Sequence, residues 1–534
     1  MAERRHKGHP TSPGLAFGPL LALDRPRLGR GEASKGNVAE ERTRLDAALE
    51  QARFELAALA ESADGVGAEV LAFQIELLDD PALVEPVHAA VGAGEAAGLA
   101  WDRALRAEIE GYRAAEDSYF AARASDLEDL RERVATALDG TARQKTDLPA
   151  DAIVLADDLT PSRFLALDRS RLGGIALLGG NPSSHVAILA RARGVPMATG
   201  LGVVDGAGPA ILDAERGLLI VDPDPATGEA YRTRAAEARE LALAAEAVRD
   251  RPALTADGEP VEVMINVDEP AAVDDATLAA SDGVGLFRTE FLFTGRRRLP
   301  DEDEQYAAYR ALAERLGGRP CIIRTLDVGG DKTLPGVELP VEANPFLGLR
   351  GLRLCLERPE LFRPQVRALL RVAAEAPVKV MLPMVSIAAE LDEAVAVFTD
   401  EVQALVRAGV PAAMPPLGIM VETPASALAI DLLDAAFYSI GTNDLTQYVM
   451  AAARDSGGRV AALNDAHHPA VLRLIEHVVA HGRERDVPVS LCGDLASDPA
   501  AAQPLIGLGL RRFSVAPAAL GRVKLAIAGC RAGT

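Results

Sequence analysis

The sequence predicts an α/β protein with a C-terminal (β/α)8 barrel and a smaller N-terminal α/β domain that is interrupted by a bundle of helices. Three observations predict this fold class. Eight short apolar runs alternate with longer helical patterns after residue 256. Strand-like runs lie on both sides of an N-terminal helical block. The 279 residues from 256 to 534 (534 − 256 + 1) approach the ~250 residues of a typical barrel.

The length, charge and cysteine content of the chain restrict the kinds of protein it can be. The chain has 534 residues, a length that suggests about three domains. Its 56 basic and 78 acidic residues give a net charge of 56 − 78 = −22, which argues against nucleic acid or an anionic membrane as a partner and favours a partner with a basic contact patch. Four cysteines without a Cys-x-x-Cys pair predict neither a disulfide framework nor a structural zinc site.

Targeting signals are not evident in the sequence. No run of 18 apolar residues without charge occurs, and no apolar run follows the basic residues at the start. We therefore expect a cytoplasmic protein that does not enter a membrane.

The first two predicted domains are interleaved in sequence. A strand is expected within Ser12–Ala22, followed by helices over 26–145, where Leu45, Leu49, Ala52, Leu56 and Leu59 recur on one helical face. Phe73, Leu77 and Leu78 mark a second helix, and Phe120, Ala124, Leu127, Val134 and Leu138 mark another.

Strands return after the helical block. They are expected at 153–155, 175–178, 211–212 and 218–221, so 1–25 and 146–225 form one α/β domain with 26–145 inserted. The alanine-rich, charged segment 228–251 predicts a linker helix within 226–255. The barrel then occupies 256–534, with strands at 261–265, 283–286, 321–324, 378–382, 417–421, 437–440, 489–491 and 513–515.

Polar residues follow the ends of these barrel strands, where catalytic groups of such barrels lie. Taken singly, each has an ordinary alternative: an arginine in a surface ion pair, a carboxylate that caps a helix, a cysteine packed in a core. Together, several arginines and two carboxylates suit a phosphorylated, carboxylated substrate held with a divalent metal. The set is Arg288, Arg324, Asn344, Arg350, Glu422, Asn443, Asp444, Arg454 and Cys492.

A histidine precedes the barrel in a context that suits phosphate chemistry. His185 follows Ser183 and Ser184, two candidate helix caps, and is expected in the first turn of a helix. Helix N-termini favour phosphate, so His185 is a candidate nucleophile, although a local cap is as good a reading of this residue alone. The pair His467-His468 precedes a proline and is expected in a turn or at a dimer surface.

These motifs resemble those of Enzyme I of the bacterial phosphotransferase system, the phosphoenolpyruvate–protein phosphotransferases, over nearly the whole chain. SPGLAFG, SSHVAILAR, GLFRTEFL, RTLDVGGDK, NPFLGLR, MVETP, GTNDLTQY and LCGDLA carry the resemblance. It implies transfer of the phosphoryl group of phosphoenolpyruvate to a histidine of the enzyme and then to a histidine of the carrier HPr, with release of pyruvate, as the first step of sugar phosphotransfer. It also implies a swivelling phosphohistidine domain, an HPr-binding helical domain and a dimerising barrel.

The resemblance assigns roles to individual residues. His185 is the phosphorylated residue, and Cys492 is the proton donor to the enolate of pyruvate. Arg288, Arg324, Arg350, Arg454 and Asn443 bind phosphoenolpyruvate, and Glu422 and Asp444 bind Mg²⁺ in a homodimer.

Departures from the family pattern leave the reacting groups in place. Asn181 and Pro182 precede the histidine where the family usually has other residues. Ala453 and Asp494 stand where the family commonly has aspartate and glutamate. The sequence shows no sensory or carrier domain, so we expect the nitrogen-type and multiphosphoryl relatives to fit less well.

Two alternative functions remain open from the residues. A pyruvate phosphate dikinase or phosphoenolpyruvate synthase would need an ATP-binding domain, and no Gly-rich phosphate loop precedes residue 150. A protein that only sequesters a carrier would not need the intact Arg, Glu, Asp, Cys and His set.

Overall fold

The computed structural model describes residues 3–532 apart from 24–36, 63–64, 115–117, 141–146, 183, 205, 294–297, 330–333, 335–336, 338–339, 341 and 455–457. The side chain of Phe120, all of Ser183 and part of the RTLDVGGDK motif therefore lie outside the described residues. The chain divides into two units, Met1–Ala236 and Glu237–Thr534.

The first unit contains an eight-stranded sheet with the order β1-β8-β7-β3-β4-β5-β6-β2. Its strands are β1 (Arg4–Lys7), β2 (His9–Ser12), β3 (Leu15–Ala22), β4 (Ala152–Ala156), β5 (Leu172–Leu177), β6 (Met197–Thr199), β7 (Gly208–Asp213) and β8 (Leu218–Val221). The sequence analysis missed β1 and β2, whose polar residues lack an apolar period; β1 is held by antiparallel pairing with β8.

A helical bundle lies in sequence between β3 and β4, which are parallel neighbours in this sheet. Its helices are α1 (Val38–Ser62), α2 (Gly65–Leu78), α3 (Pro81–Gly92), α4 (Ala97–Ala114) and α5 (Ser118–Leu138). The bundle has its own apolar core, which includes the predicted Leu45 and Leu56 and the fully buried Trp101 of α4. Because the bundle separates adjacent strands, it is an insertion, as the sequence predicted.

Two short helices cover one face of the sheet. They are α6 (Pro161–Leu165) and α7 (His185–Ala192), and they bury Phe164, Val186 and Leu189 against β5 residues such as Ile175. The chain then continues in α8 (Pro225–Arg249), close to the helix predicted for 228–251.

The second unit contains the barrel. After β9 (Ala253–Leu254) come β10 (Pro260–Val267), β11 (Val284–Phe287), β12 (Cys321–Arg324), β13 (Val378–Leu382), β14 (Leu417–Val421), β15 (Tyr438–Ile440), β16 (Val489–Leu491) and β17 (Arg512–Val515). Each strand from β10 to β17 pairs parallel with the next, and β10 pairs with both β11 and β17, which closes the barrel. All eight predicted strands are confirmed within two residues of their ends.

Helices alternate with these strands. They are α9 (Asp275–Ala280), α10 (Glu302–Leu316), α11 (Leu352–Glu357), α12 (Pro359–Ala373), α13 (Ala388–Arg407), α14 (Pro424–Leu428), α15 (Thr442–Met450), α16 (Gly458–Ala461), α17 (Pro469–Arg485), α18 (Ala502–Gly507) and α19 (Leu520–Gly529). The largest apolar core of the chain lies between these helices and the strands. Among the described residues, no helix has the length and apolarity that crossing a membrane requires.

Side chains pack inside the barrel beneath its open mouth. Leu286, Ile322, Met381, Met420, Phe437 and Cys492 form one buried cluster. Ser439, Ser490 and Ser514 are also buried, and Ser490 Oγ lies 3.1 Å from Ser439 Oγ. The hydroxyl groups therefore come from β15, β16 and β17, beside the strand end that carries the cysteine.

Candidate active site

A polar pocket of about 250 Å³ lies at the C-terminal ends of the barrel strands. The loops that follow β11, β12, β14, β15 and β16 supply most of its lining, because parallel strands end at the same rim. It brings together the eight barrel residues that the sequence assigned to substrate, metal and proton transfer: Arg288, Arg324, Arg350, Glu422, Asn443, Asp444, Arg454 and Cys492. The sequence candidate Asn344 does not line the pocket; it is exposed and precedes a 3₁₀ turn.

Two of the arginines are buried and held by carboxylates. Arg324 contacts Glu290 at 2.9 Å and Asp327 at 3.0 Å. Burial by itself lowers the pKa of Arg324, but the charges of Glu290 and Asp327 outweigh it and the pKa is raised. This guanidinium is therefore fixed in place and charged before any substrate binds.

Arg350 is held in the same way from two sides. Its Nε and Nη2 donate to the two oxygens of Asp327 at 3.0 and 3.1 Å, and Nη1 and Nη2 donate to those of Asp444 at 3.0 Å each. Such paired contacts use the planar fork of the guanidinium, which a lysine cannot reproduce. Arg350 therefore links the loop after β12 to α15.

The other two arginines are more exposed. Arg288 donates to Asp268 at 2.7 Å, and about a third of its side chain is accessible. Arg454 is half exposed, and its guanidinium lies 3.7 Å from Asp494. These two side chains therefore have more room to move toward a ligand than Arg324 and Arg350 have.

Glu422 is a buried carboxylate at the end of β14. Its Oε1 accepts a hydrogen bond of 2.7 Å from the backbone N–H of Met384. A Cβ on Gly441 would lie 3.0 Å from Oε2, so glycine at that position leaves room for the carboxylate. Burial, followed by the charges of Asp444 and Asp327, raises the pKa of Glu422 well above its ordinary value.

A divalent cation fits this pair of acids. A cation near Glu422 and Asp444 would offset the burial and the repulsion that raise the pKa of Glu422. Among the described residues, no group of three or more His, Cys, Asp or Glu side chains could hold a metal. Mg²⁺ usually takes only one or two protein carboxylates and completes its shell with water and substrate oxygens, so two are sufficient.

Asn443 is oriented by the neighbouring loop. The backbone N–H of Asp494 donates to Asn443 Oδ1 at 2.7 Å, so the amide NH₂ remains as the donor group. Gly493, in the loop after β16, packs closely against Thr442 at the start of α15: a Cβ on Gly493 would lie 1.8 Å from Thr442 Oγ1, so this approach requires glycine.

Cys492 is buried at the floor of the pocket. Its thiol donates to the carbonyl oxygen of Ile440 at 3.6 Å. Burial raises the pKa of the thiol to about 11, although a hydrogen bond with Ser439 acts to lower it. A group with this pKa is protonated at neutral pH, which is the condition for a proton donor.

His185 is the first residue of α7, as the sequence predicted. The N-cap of this helix is Ser184, whose hydroxyl accepts a 3.3 Å hydrogen bond from the N–H of Ala187. A quarter of the His185 side chain is exposed, and its Nδ1 lies 3.3 Å from Asp126 Oδ1 of α5. The free N–H groups of a helix start make this a favourable place for a phosphoryl group.

The sequence analysis missed three acidic residues near these sites. Asp327 lies three residues after Arg324 in a motif that was already recognised, so the i,i+3 spacing at a strand end could have indicated it. Glu290 and Asp126 reach their partners across other elements, and no local pattern marks them. His467 and His468 have local partners: His467 contacts Asp498 at 2.8 Å, and His468 caps α17.

Family models match nearly the whole chain. The PEP-utilising enzyme, PEP-binding domain, matches residues 243–532, and the mobile domain and the N-terminal domain of the same enzymes match 148–222 and 7–123. The chain is also 38% identical over 96% of its length, and 91% of the relative's length, to a phosphoenolpyruvate-protein phosphotransferase of Geobacillus stearothermophilus. The chain belongs to the Enzyme I family, the phosphoenolpyruvate–protein phosphotransferases.

Other relatives are similarly close in sequence. A phosphoenolpyruvate-protein phosphotransferase of Haloferax volcanii is 41% identical over 88% of the chain and 83% of its own length. A multiphosphoryl transfer protein of Xanthomonas campestris pv. campestris is 40% identical over 97% of the chain but 63% of its own length. The predicted family and the predicted class of enzyme are confirmed. His185 lies within the match to the mobile domain, and the pocket residues lie within the match to the PEP-binding domain.

Proposed function

We propose that this chain transfers the phosphoryl group of phosphoenolpyruvate to its own His185 and then to a histidine of an HPr-type carrier protein, releasing pyruvate, as the first step of a sugar phosphotransferase system. One observation carries the proposal. Four arginines, an asparagine amide, two carboxylates and a protonated thiol line one pocket of about 250 Å³ in a member of the Enzyme I family.

In this proposal the arginines bind the substrate's two anionic groups. Arg324 and Arg350 are fixed by carboxylates, so they stabilise the transferring phosphoryl group with little reorganisation. Arg288 and Arg454 are exposed enough to close on the ligand, and the Asn443 amide donates to a phosphate oxygen. Positioning and charge stabilisation are the main tasks in phosphoryl transfer.

Glu422 and Asp444 would hold Mg²⁺, which when bound neutralises charge on the phosphoryl oxygens. Met384 N–H fixes Glu422, and Arg350 fixes Asp444. The carboxylates are therefore oriented by the chain itself.

His185 attacks phosphorus as the enol oxygen departs with the bonding pair. Cys492 then gives its thiol proton to the methylene carbon of the enolate, which yields pyruvate. The Ser439 hydroxyl, which hydrogen-bonds with the thiol and accepts from Ser490 Oγ at 3.1 Å, would support the thiolate that remains.

Transfer of the phosphoryl group from His185 to the carrier requires His185 to leave the barrel pocket and meet the carrier's histidine. By similarity to the family, residues 26–145 bind the carrier, 1–25 and 146–225 swivel, and 226–255 link them to the barrel at 256–534. The net charge of −22 favours a carrier with a basic contact face.

We also propose a cytoplasmic homodimer formed through residues 256–534. Ile387 follows β13, and Leu428 and Leu432 follow β14. All three side chains are more than half exposed, so they are candidates for burial between two copies of the chain. Light scattering at high protein concentration, with Mg²⁺ and phosphoenolpyruvate present, measures the assembly. A monomer under these conditions would refute the dimer.

Turnover of phosphoenolpyruvate to pyruvate with purified carrier and Mg²⁺ tests the function. We expect pyruvate in stoichiometric excess over enzyme only when the carrier is present. Carrier binding without any turnover would instead identify a protein that sequesters the carrier. The His185→Ala variant is the matched control, because it leaves the barrel pocket unchanged.

A further inference from the structure

The inserted helical bundle supplies a buried carboxylate to His185. The side chain of Asp126, on α5, is fully buried, and its Oδ1 lies 3.3 Å from Nδ1 of the histidine. His185 begins α7 and belongs to the sheet-bearing part of the same unit. Two residues that are 59 positions apart in sequence therefore meet at one ring nitrogen.

This carboxylate has few other partners. Its second oxygen, Oδ2, is buried and accepts no hydrogen bond among the described residues. A buried carboxylate that is not fully hydrogen-bonded destabilises a fold. Asp126 is therefore expected to contribute little to stability, and its contact with the His185 imidazole is the better explanation for its presence.

A nearby acid already joins the bundle to the sheet. Asp129, one turn further along α5, accepts hydrogen bonds from the backbone N–H of Ser162 at 2.9 Å and from the amide of Gln74 at 3.2 Å. Both aspartates are buried on one helix, but only Asp126 contacts His185. Asp129 is thus a matched internal control.

We propose that Asp126 is a positioning residue that holds the His185 ring with its proton on Nδ1, so that the lone pair of Nε2 faces the phosphoryl donor. This inference rests on the proposed function, because it assigns a partner to the proposed nucleophile. The carboxylate accepts from Nδ1–H, and that hydrogen bond fixes both the tautomer and the ring orientation.

The reaction balances with this arrangement. The Nε2–P bond forms while the bridging P–O bond of phosphoenolpyruvate breaks, and the enolate oxygen keeps the electron pair. Nδ1 keeps its proton, so positive charge develops on the ring opposite the Asp126 carboxylate. In the onward step the N–P bond breaks, the electron pair returns to Nε2, and the carrier's histidine takes the phosphoryl group.

The tautomer can be measured directly in the whole chain without substrate. Long-range ¹H–¹⁵N spectra of selectively labelled histidine, assigned with His185→Ala, report which ring nitrogen of His185 carries the proton. We expect Nδ1–H in the wild type, a mixture of tautomers in Asp126→Asn, and the wild-type pattern in Asp129→Asn. Asparagine keeps the shape of aspartate but can either accept from or donate to Nδ1, so the preference is lost.

Single-turnover phosphorylation supplies the second measurement. We expect Asp126→Asn to slow phosphorylation of His185 on the order of 10²-fold, and Asp129→Asn to alter thermal stability more than the rate. An Nε2–H tautomer in the wild type, an unchanged tautomer in Asp126→Asn, or equal rate losses in the two variants would overturn the inference. If a variant fails to fold, the tautomer seen in the wild-type spectrum still tests the inference. Absence of any phosphorylation in the wild type would instead refute the proposed function and leave the tautomer result standing.

Discussion

The barrel pocket and the His185 site are built in opposite ways. In the pocket, buried arginines and carboxylates hold one another through several contacts, so the charges are in place before a ligand arrives. Within the described residues, His185 meets the carboxylate of Asp126 on the neighbouring helix α5 and remains a quarter exposed. In the proposed function, the pocket stabilises developing charge and benefits from rigidity, whereas His185 would pass a phosphoryl group from one partner to another and would have to stay accessible. The two sites should therefore respond differently to substitution.

The largest effect should come from the accessible site. We expect His185→Ala to abolish phosphorylation from phosphoenolpyruvate, because no other residue replaces the attacking nitrogen. Binding of phosphoenolpyruvate and Mg²⁺ to the barrel should persist, as calorimetry can check. A variant that still acquires label, or a wild-type label that survives acid, would contradict phosphohistidine at this position.

Within the pocket, Cys492→Ala should separate two chemical steps. A proton donor contributes about 10²–10⁴-fold, and the protonation follows phosphoryl transfer. The variant should therefore phosphorylate His185 in a single turnover yet form pyruvate more slowly by that factor. Equal losses in both steps, in parallel with a lower melting temperature, would make Cys492 a structural residue.

Substitution of the buried arginine should affect stability as well as rate. Arg350→Met leaves Asp327 and Asp444 without their shared partner, which costs about 3–5 kcal/mol when a buried ion pair is broken. Arg454→Met, at the exposed rim, should change the free energy of unfolding by less than ~0.5 kcal/mol and act mainly on KM. Denaturant titrations of both variants make the comparison. Equal losses of stability would show that the two arginines do not differ in rigidity.

Glu422→Gln should act on the metal more than on the fold. The amide oxygen can still accept from Met384 N–H. Glutamine also removes the cost of holding an ionisable carboxyl where burial and the charges of Asp444 and Asp327 raise its pKa, so we expect the melting temperature to be maintained or raised. Turnover should fall and its half-saturating Mg²⁺ concentration should rise. A Mg²⁺ titration that overlays the wild type would remove Glu422 from the metal site.

The smallest effect concerns the pH dependence of Cys492 alkylation. The thiolate is the reactive form, and burial raises the pKa of this thiol to about 11. Below that pKa the thiolate fraction grows tenfold per pH unit, so the rate should still be rising at pH 9.5, where an ordinary thiol has levelled off. Peptide mapping identifies the modified cysteine, and phosphoenolpyruvate should protect it. A rate that reaches its plateau below pH 9 would contradict the buried thiol.

Local sequence pattern was sufficient to predict the barrel strands and the position of His185 at a helix start. The strands at 321–324, 378–382 and 417–421 are short apolar runs between turn residues, and the structure has the same bounds. Because parallel strands end at one rim, the residues that follow them could be placed together from order alone. The position of His185 at a helix start was predicted correctly because serine, here Ser184, is a preferred N-cap residue.

Contacts between distant elements were beyond the sequence. Asp126 lies on an inserted helix and Glu290 lies in the loop after β11. Their partners, His185 and Arg324, belong to other elements, so only the packed structure shows these contacts. The first strand, β1, was missed because its polar residues are ordered by pairing with β8 rather than by burial of one face.

The insertion of the helical bundle between β3 and β4 has a consequence for how the chain folds. Leu20 pairs with Ile153, so 133 positions (153 − 20) separate two adjacent strands. Closing an unstructured loop of that length costs about 4 kcal/mol in chain entropy. The bundle has its own core around Trp101. Once its helices pack, the segment between the two strands is a folded domain rather than a random coil, so less chain entropy is lost when the strands pair. The central sheet should therefore form late in synthesis, after the bundle, and Trp101 fluorescence should report an earlier folding phase than protection of the β3–β4 amides from hydrogen exchange.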